Sequence, residues 1–283
     1  MLSSSTRERI EQCAREVTRG QGKLWVNIRD ANRADSVTID QKRLQAFVRF
    51  LARLPLDLRP FGLMFEDGVG ETFHWEMADF VTRLRRNMDS NGWSEGHLLI
   101  HVHKAFGLGD AVVLDALAAG CTGMWGAVCE EGAGVGHVGS LSVLTNLARL
   151  GNEHVTDMFD FPALREAAIT VTRRCTMQEP HPKQELYGSR ALDVVFSPDG
   201  MTPLPLFNLN ELFKTQVTTR VTTFTTPAMF RDRLTEVFGD LKWDMETTTK
   251  MRFRLFRELN IGYKFDYMRF KNITLVRFEM IIL

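Results

Sequence analysis

The chain has 283 residues, with 35 Lys+Arg offset by 35 Asp+Glu and a formal net charge of zero. A neutral chain sets up no global field, so neither nucleic acid nor an anionic membrane is expected as a partner, which leaves small molecules and other proteins. No apolar run approaches the roughly 18 residues of a membrane span, and about three quarters of the unfolded surface of such a chain can be buried on folding. Cys13, Cys121, Cys129 and Cys175 show no C-x-x-C spacing, which fits reduced, buried thiols in the cytoplasm or an organellar matrix better than disulfides. The first twenty residues mix four arginines with three glutamates, a pattern that argues against a transit peptide.

Ser5 with Glu8 has capping-box spacing ahead of Ile10, Cys13, Ala14 and Val17, so a short amphipathic helix opens the chain. Lys23 to Asp30 reads as a strand, and Thr38 with Gln41 introduces a helix striped by Leu44, Phe47, Val48 and Leu51. Phe61 to Phe65 is a second strand, ending in Glu66-Asp67-Gly68-Val69-Gly70 and followed by a helix with Met77, Phe80, Val81 and Leu84 on one face. A third unit joins His97–His103 to a helix over Ala111–Ala119, stopped by Gly120. A fourth joins Thr122–Val128, through a glycine loop, to a helix over Ser140–Leu150. The alternation fades near residue 151. Pro162, Pro180, Pro182, Pro198, Pro203 and Pro205 punctuate the next fifty-odd residues, and Thr218–Thr226 is too threonine-rich to assign. Met251–Leu259 reads as a basic amphipathic helix ending near Gly262. The alternating aromatic and basic residues of 263–283 suit RNA contact locally, but no basic patch dominates the chain. The expected organisation is residues 1–150 as a parallel α/β domain and residues 151–283 as a mainly helical or loop extension.

Within the third strand, His101 and His103 are two residues apart and therefore share a face at its C-terminal end. Two imidazoles there make half of a metal site, and two His plus one carboxylate is a recurrent catalytic set that leaves positions open for substrate. His137 lies in a second glycine-rich segment, Gly132-Ala133-Gly134-Val135-Gly136-His137. Polar residues collect just after each strand (Arg29-Asp30, Glu66-Asp67, His101-His103), as they do where a parallel sheet or barrel carries its site at strand C-termini. His74, His97, His154 and His181 lack such a setting and read as structural or surface residues.

The run from His101-Val102-His103 through Ala116-Leu117-Ala118-Ala119-Gly120 to Gly132–His137 resembles the DRE-TIM metallolyase family. These are pyruvate-carboxyltransferase-like TIM barrels that include isopropylmalate synthase, hydroxymethylglutaryl-CoA lyase and 4-hydroxy-2-oxovalerate aldolase. Ile28-Arg29-Asp30-Ala31-Asn32 resembles the family's first-strand L-R-D-G motif, Val37-Thr38-Ile39-Asp40 the start of its next helix, and Glu66-Asp67-Gly68-Val69-Gly70 its D-T-x-G strand end. The resemblance implies a divalent metal ion (Zn, Mn, Mg or Fe) held by Asp30, His101 and His103, with His137 standing where the family has a metal-binding Asn. Nitrogen in that place favours Zn or Fe over Mg. It further implies that Arg29 stabilises an enolate formed from a 2-oxo acid or acyl-CoA, with Glu66, Asp67, Gly134 and Gly136 at the substrate and loop positions. The implied activity is a lyase or acyltransferase that makes or breaks a carbon–carbon bond.

Three departures stand out. Asn has become His137, the first motif's glycine and glutamine are replaced around Ala31 and Arg33, and only one βα unit separates Arg29-Asp30 from the His101 strand. The resemblance is thus to a shortened barrel lacking the family's second-strand glutamate. Open sheet edges then call for a homo-oligomer, a partner subunit or cover from the C-terminal region. Two rival readings are an inactive descendant acting as a structural or regulatory subunit, and a plain metal-binding module.

Overall fold

The computed structural model describes residues 4–34, 38–132, 134–193, 207–216, 218, 220–221, 225–239 and 243–261. Val37, Pro198, Pro203, Pro205, Gly262, the tail 263–283 and parts of Thr218–Thr226 lie outside the described residues. The chain divides into two compact units, Met1–Ser189 and Arg190–Leu283.

The first unit is an α/β fold on a four-stranded sheet, β1 (Trp25–Arg29), β2 (Gly62–Asp67), β3 (His97–Val102) and β4 (Gly123–Met124), all parallel and in chain order. Parallel pairing follows from the helix that returns the chain after each strand. In chain order the helices of this unit are α1 (Ser4–Arg19), the single turn α2 (Ala31–Ala34), α3 (Thr38–Ala52), α4 (His74–Ser90), α5 (Gly109–Ala118), α6 (Ser140–Arg149), α7 (Glu153–Met158) and α8 (Phe161–Thr176). Apolar residues at helical spacing bury one face of each crossover: Leu44, Val48 and Leu51 on α3, and Met77, Phe80, Val81, Leu84 and Met88 on α4. They meet Leu63 and Phe65 of β2 and Leu98 and Ile100 of β3, with the Phe65 and Phe80 rings edge to face at 5.3 Å. Each such side chain taken from water contributes about 1.5–3 kcal/mol. Among the described residues the sheet ends at β1 and β4, and every β1 residue keeps some exposure while β2 is almost wholly buried.

The domain boundary expected near residue 150 falls inside this unit. Helix α8 buries Phe161, Ala168 and Thr172, and the Cys129 thiol donates to the Ala168 carbonyl at 3.8 Å, which ties the helix back to the segment after β4. The cysteines also differ from expectation: Cys121 and Cys129 are buried, but Cys13 and Cys175, on amphipathic helices, are exposed. Burial pushes the Cys121 thiol up to about 12, so it stays protonated. Ser5 lies within α1 and does not precede it. No described helix is long and apolar enough to cross a membrane.

The second unit is helical where described, with α9 (Leu209–Leu212), α10 (Pro227–Phe238) and α11 (Met245–Ile261). Thr226 caps α10 by accepting the Met229 amide, Pro227 occupies its first turn, and Val221, Phe230, Leu234, Met251 and Leu255 form a small core. The expected helix over 251–259 is the C-terminal part of α11.

One glycine fixes the loop after β2 against the end of β3. Gly70 has φ of 74°, and a Cβ there would sit 1.9 Å from the His103 carbonyl oxygen. Gly92 has nearly the same φ, 76°, with nothing within 4 Å of a Cβ. Gly92→Ala is therefore expected to cost only backbone strain, about 1 kcal/mol, and Gly70→Ala about 3 kcal/mol or more because strand and loop must separate. Chemical denaturation of the two variants checks this; equal losses would show that the close approach carries no energy.

Candidate metal centre

The sheet register brings the site together. Arg29 on β1 is the cross-strand partner of Glu66 on β2, and Glu66 is the partner of His101 on β3. Partners in register point to the same face, so these three side chains form one row at the C-terminal end of the sheet. His103, two residues beyond His101, rises on that face, and His137 comes to it because residues 103 and 137 form an antiparallel bridge. That bridge is held by the Lys104 amide donating to the Gly136 carbonyl at 3.0 Å and the Val138 amide to the Val102 carbonyl at 3.3 Å, while within the loop the His137 amide donates to the Glu130 carbonyl at 3.1 Å. Gly136 turns the loop with φ of 75°. Gly134 is exposed at the loop's surface, with nothing within 4 Å of a Cβ.

The three imidazoles converge. One ligand nitrogen from each of His101, His103 and His137 lies within 4.8 Å of the others, and His101 Nε2 is 3.2 Å from His103 Nε2. A tetrahedral zinc with Zn–N bonds of about 2.0–2.1 Å places its ligand nitrogens about 3.3–3.4 Å apart. The pair stands close to that spacing, at 3.2 Å. His101 Nδ1 is 2.8 Å from the Trp125 carbonyl, and a carbonyl only accepts, so Nδ1 carries the proton and Nε2 of the neutral ring presents its lone pair to the cluster. The Nδ1 side of His137 lies against Gly132, where a Cβ would come within 2.9 Å. Burial is the main cause that holds His101 below the ordinary histidine value, and repulsion from His137 and His103 adds to it against the upward pull of the Trp125 carbonyl. His137 is lowered as well, chiefly by burial and then by His103. Neutral imidazole is the form that binds metal. The donor set fits a borderline divalent ion such as zinc.

The sequence-derived residues separate into those at the cluster and those beside it. Glu66 Oε1 is 3.9 Å from His103 Nε2 and 3.6 Å from Arg29 Nε, so it stands between the two. Asp30 is not among the residues whose ligand atoms come together; its φ is 48°, and its Oδ1 accepts the Gly68 amide at 3.1 Å. Asp67 faces the opposite way, fully buried, and accepts the amides of Val69 at 3.3 Å, Gly70 at 2.8 Å and Thr72 at 3.1 Å. Its carboxylate organises the loop. Two contributors carry no sequence signal of their own: the Trp125 carbonyl, and the Trp125 ring packed 4.3 Å from that of His101. A third had one, since Lys104 is a lone cation directly after His103. Burial opposes its charge, but a 2.5 Å bond to Glu130 and the charge of Asp110 at 3.1 Å outweigh this and raise its pKa. Lys104 thereby clamps the glycine loop to α5.

No family model and no curated protein matches the sequence. Solved structures similar to this chain include a hydroxymethylglutaryl-CoA lyase from Pseudomonas aeruginosa (19% identity, TM-score 0.49, covering 66% of this chain and 58% of that one). A second is the HMG-CoA lyase from Brucella melitensis (13%, 0.46, covering 61% and 59%). A third is the carboxyl transferase domain of Rhizobium etli pyruvate carboxylase with pyruvate (12%, 0.44, covering 94% and 43%). These are members of the DRE-TIM family whose motifs the sequence resembles, and this chain spans less than two thirds of each. At such values the chemistry has to be read from the side chains present here.

Because His101 and His137 are held below the ordinary value of 6.5, the unfolded chain takes up protons first as pH falls. Stability of the metal-free protein is therefore complete above that value and declines below it, through the lower folded values. Melting of chelator-treated protein from about pH 8 to about pH 5 should show a constant Tm and then a fall. A fall clearly smaller in His101→Asn is expected; an identical profile in that variant would assign the decline to other groups.

Proposed function

We propose that the first unit is a metal-dependent enzyme that makes or breaks a carbon–carbon bond in a 2-oxo acid or acyl-CoA. The observation that carries the reading is the convergence of His101, His103 and His137 beside the Arg29–Glu66 pair on the strand C-termini. In this reading the three histidines hold one divalent ion, which when bound supplies Lewis-acid polarisation of the substrate carbonyl. His101 is turned into position by the Trp125 carbonyl and His137 by the glycine loop. Arg29 offers a planar guanidinium from the neighbouring strand to the oxygen on which negative charge develops. Glu66 faces the Nε of that guanidinium at 3.6 Å and accepts the Asn27 side-chain amide at 3.4 Å. Asp30, bound to the Gly68 amide, holds the β2 loop at the edge of the site. The exposed Trp125 ring, 4.3 Å from that of His101, offers an apolar surface along which an acyl chain would lie.

Two measurements test this. Elemental analysis is expected to find about one divalent ion per chain, lost in His103→Ala because affinity collapses without a ligand; wild-type occupancy in the variant would refute the ligand assignment. Solvent deuterium exchange into the carbon next to the carbonyl of pyruvate reports enolisation. Arg29→Lys should keep metal and Tm yet slow that exchange about a hundredfold, whereas parallel loss of Tm and exchange would make Arg29 a structural residue.

A further inference from the structure

A recess on the first unit has none of the three histidines in its lining. Beside β1, against α2 and α3, the structure holds a cavity of about 340 Å³, within the roughly 300–1,000 Å³ of small-molecule sites. Its walls are mostly apolar: Ile28 from the edge strand and Leu44 and Phe47 from α3, with Ala31 and Ala46 leaving the space that larger side chains would fill. Three charged groups border it, Arg29, Arg43 and Asp40. Asp40 is engaged by Arg43 Nη1 at 3.0 Å, and Arg29 reaches Glu66 through Nε. Each guanidinium has five N–H donors, so one contact apiece leaves most of them for a ligand. The lining carries a net charge of +1, from two arginines against one aspartate. That balance disfavours a cation, and the apolar walls disfavour a compact, strongly hydrated dianion.

We propose that this cavity binds a monocarboxylate with a short aliphatic tail, the tail against Ile28, Leu44 and Phe47 and the carboxylate taken by the arginines. The site is separate from the histidine cluster and does not depend on a metal there, although Arg29 borders both. Charge-assisted bonds from arginine to carboxylate orient the ligand, and burial of its methylenes, at about 0.8 kcal/mol each, supplies most of the affinity.

Hexanoate is the probe, titrated calorimetrically into the full chain after chelator treatment, with 1-hexanol and hexylammonium as comparisons. Saturable binding at one per chain is expected, with hexanol at least about tenfold weaker and hexylammonium not bound. Arg43→Gln should weaken hexanoate about tenfold. Ala46→Phe, at an exposed helical position that tolerates the change, should fill the cavity and abolish binding while circular dichroism stays that of the wild type. The proposal falls if hexanoate does not saturate, if hexanol binds as tightly, or if both variants bind like the wild type. It also falls if Ala46→Phe instead converts a dimer to a monomer in sedimentation while hexanoate fails to bind the wild type, for then the recess is an interface between copies. Because the titration uses metal-free protein, its failure leaves the metal assignment standing, and the reverse holds equally.

Discussion

The hydrogen bond between His101 Nδ1 and the Trp125 carbonyl, at 2.8 Å, decides what the histidine cluster can be. It commits the proton of a buried neutral ring to one nitrogen and leaves the lone pair of the other aimed at His103 and His137. Without it the ring could rotate, and the buried His101 would be an ordinary core histidine. The Trp125 carbonyl, one residue past the two-residue β4, meets the His101 imidazole, and the chain then runs on to the glycine loop that delivers His137.

The loops around the cluster are held by devices that do not touch it. Asp67 gathers three backbone amides on the far side of β2, Gly70 lets that loop lie on the His103 carbonyl, and Lys104 bridges Glu130 and Asp110. The first two order the loop after β2 and seat it on the end of β3, and the third ties the segment before the glycine loop to α5. A site built this way is preorganised by buried contacts, so ligand nitrogens need little movement to meet an ion. Burial supplies the electrostatic side as well, since it favours the neutral, metal-binding form of the His101 and His137 rings.

Much of this is legible in the sequence because the signals are local and periodic. The four βα units follow from apolar stripes on α3 and α4 and from apolar runs ending in polar residues, and the shared face of His101 and His103 follows from the strand period. The illegible part is long-range or carried by backbone. Asp30, expected at the metal, and Asp67, expected at a substrate or loop position, both have carboxylates that accept loop amides, and only the folded loop shows which amides they meet. The Trp125 carbonyl has no side-chain signature. The helical pattern after residue 150 resembles an appendage, whereas α8 packs back through Phe161 and Ala168 and so belongs with the first unit.

The central claim is that three imidazole nitrogens, and not two histidines with Asp30, form the protein part of a metal centre. X-ray absorption at the metal edge of the zinc-loaded protein tests it most directly, because imidazole rings give a distinct outer-shell scattering pattern. The account predicts a first shell of nitrogen and oxygen at about 2.0–2.1 Å with three imidazoles, dropping to two in His137→Ala and unchanged in Asp30→Asn. Two imidazoles in the wild type, unaltered by His137→Ala, would contradict it.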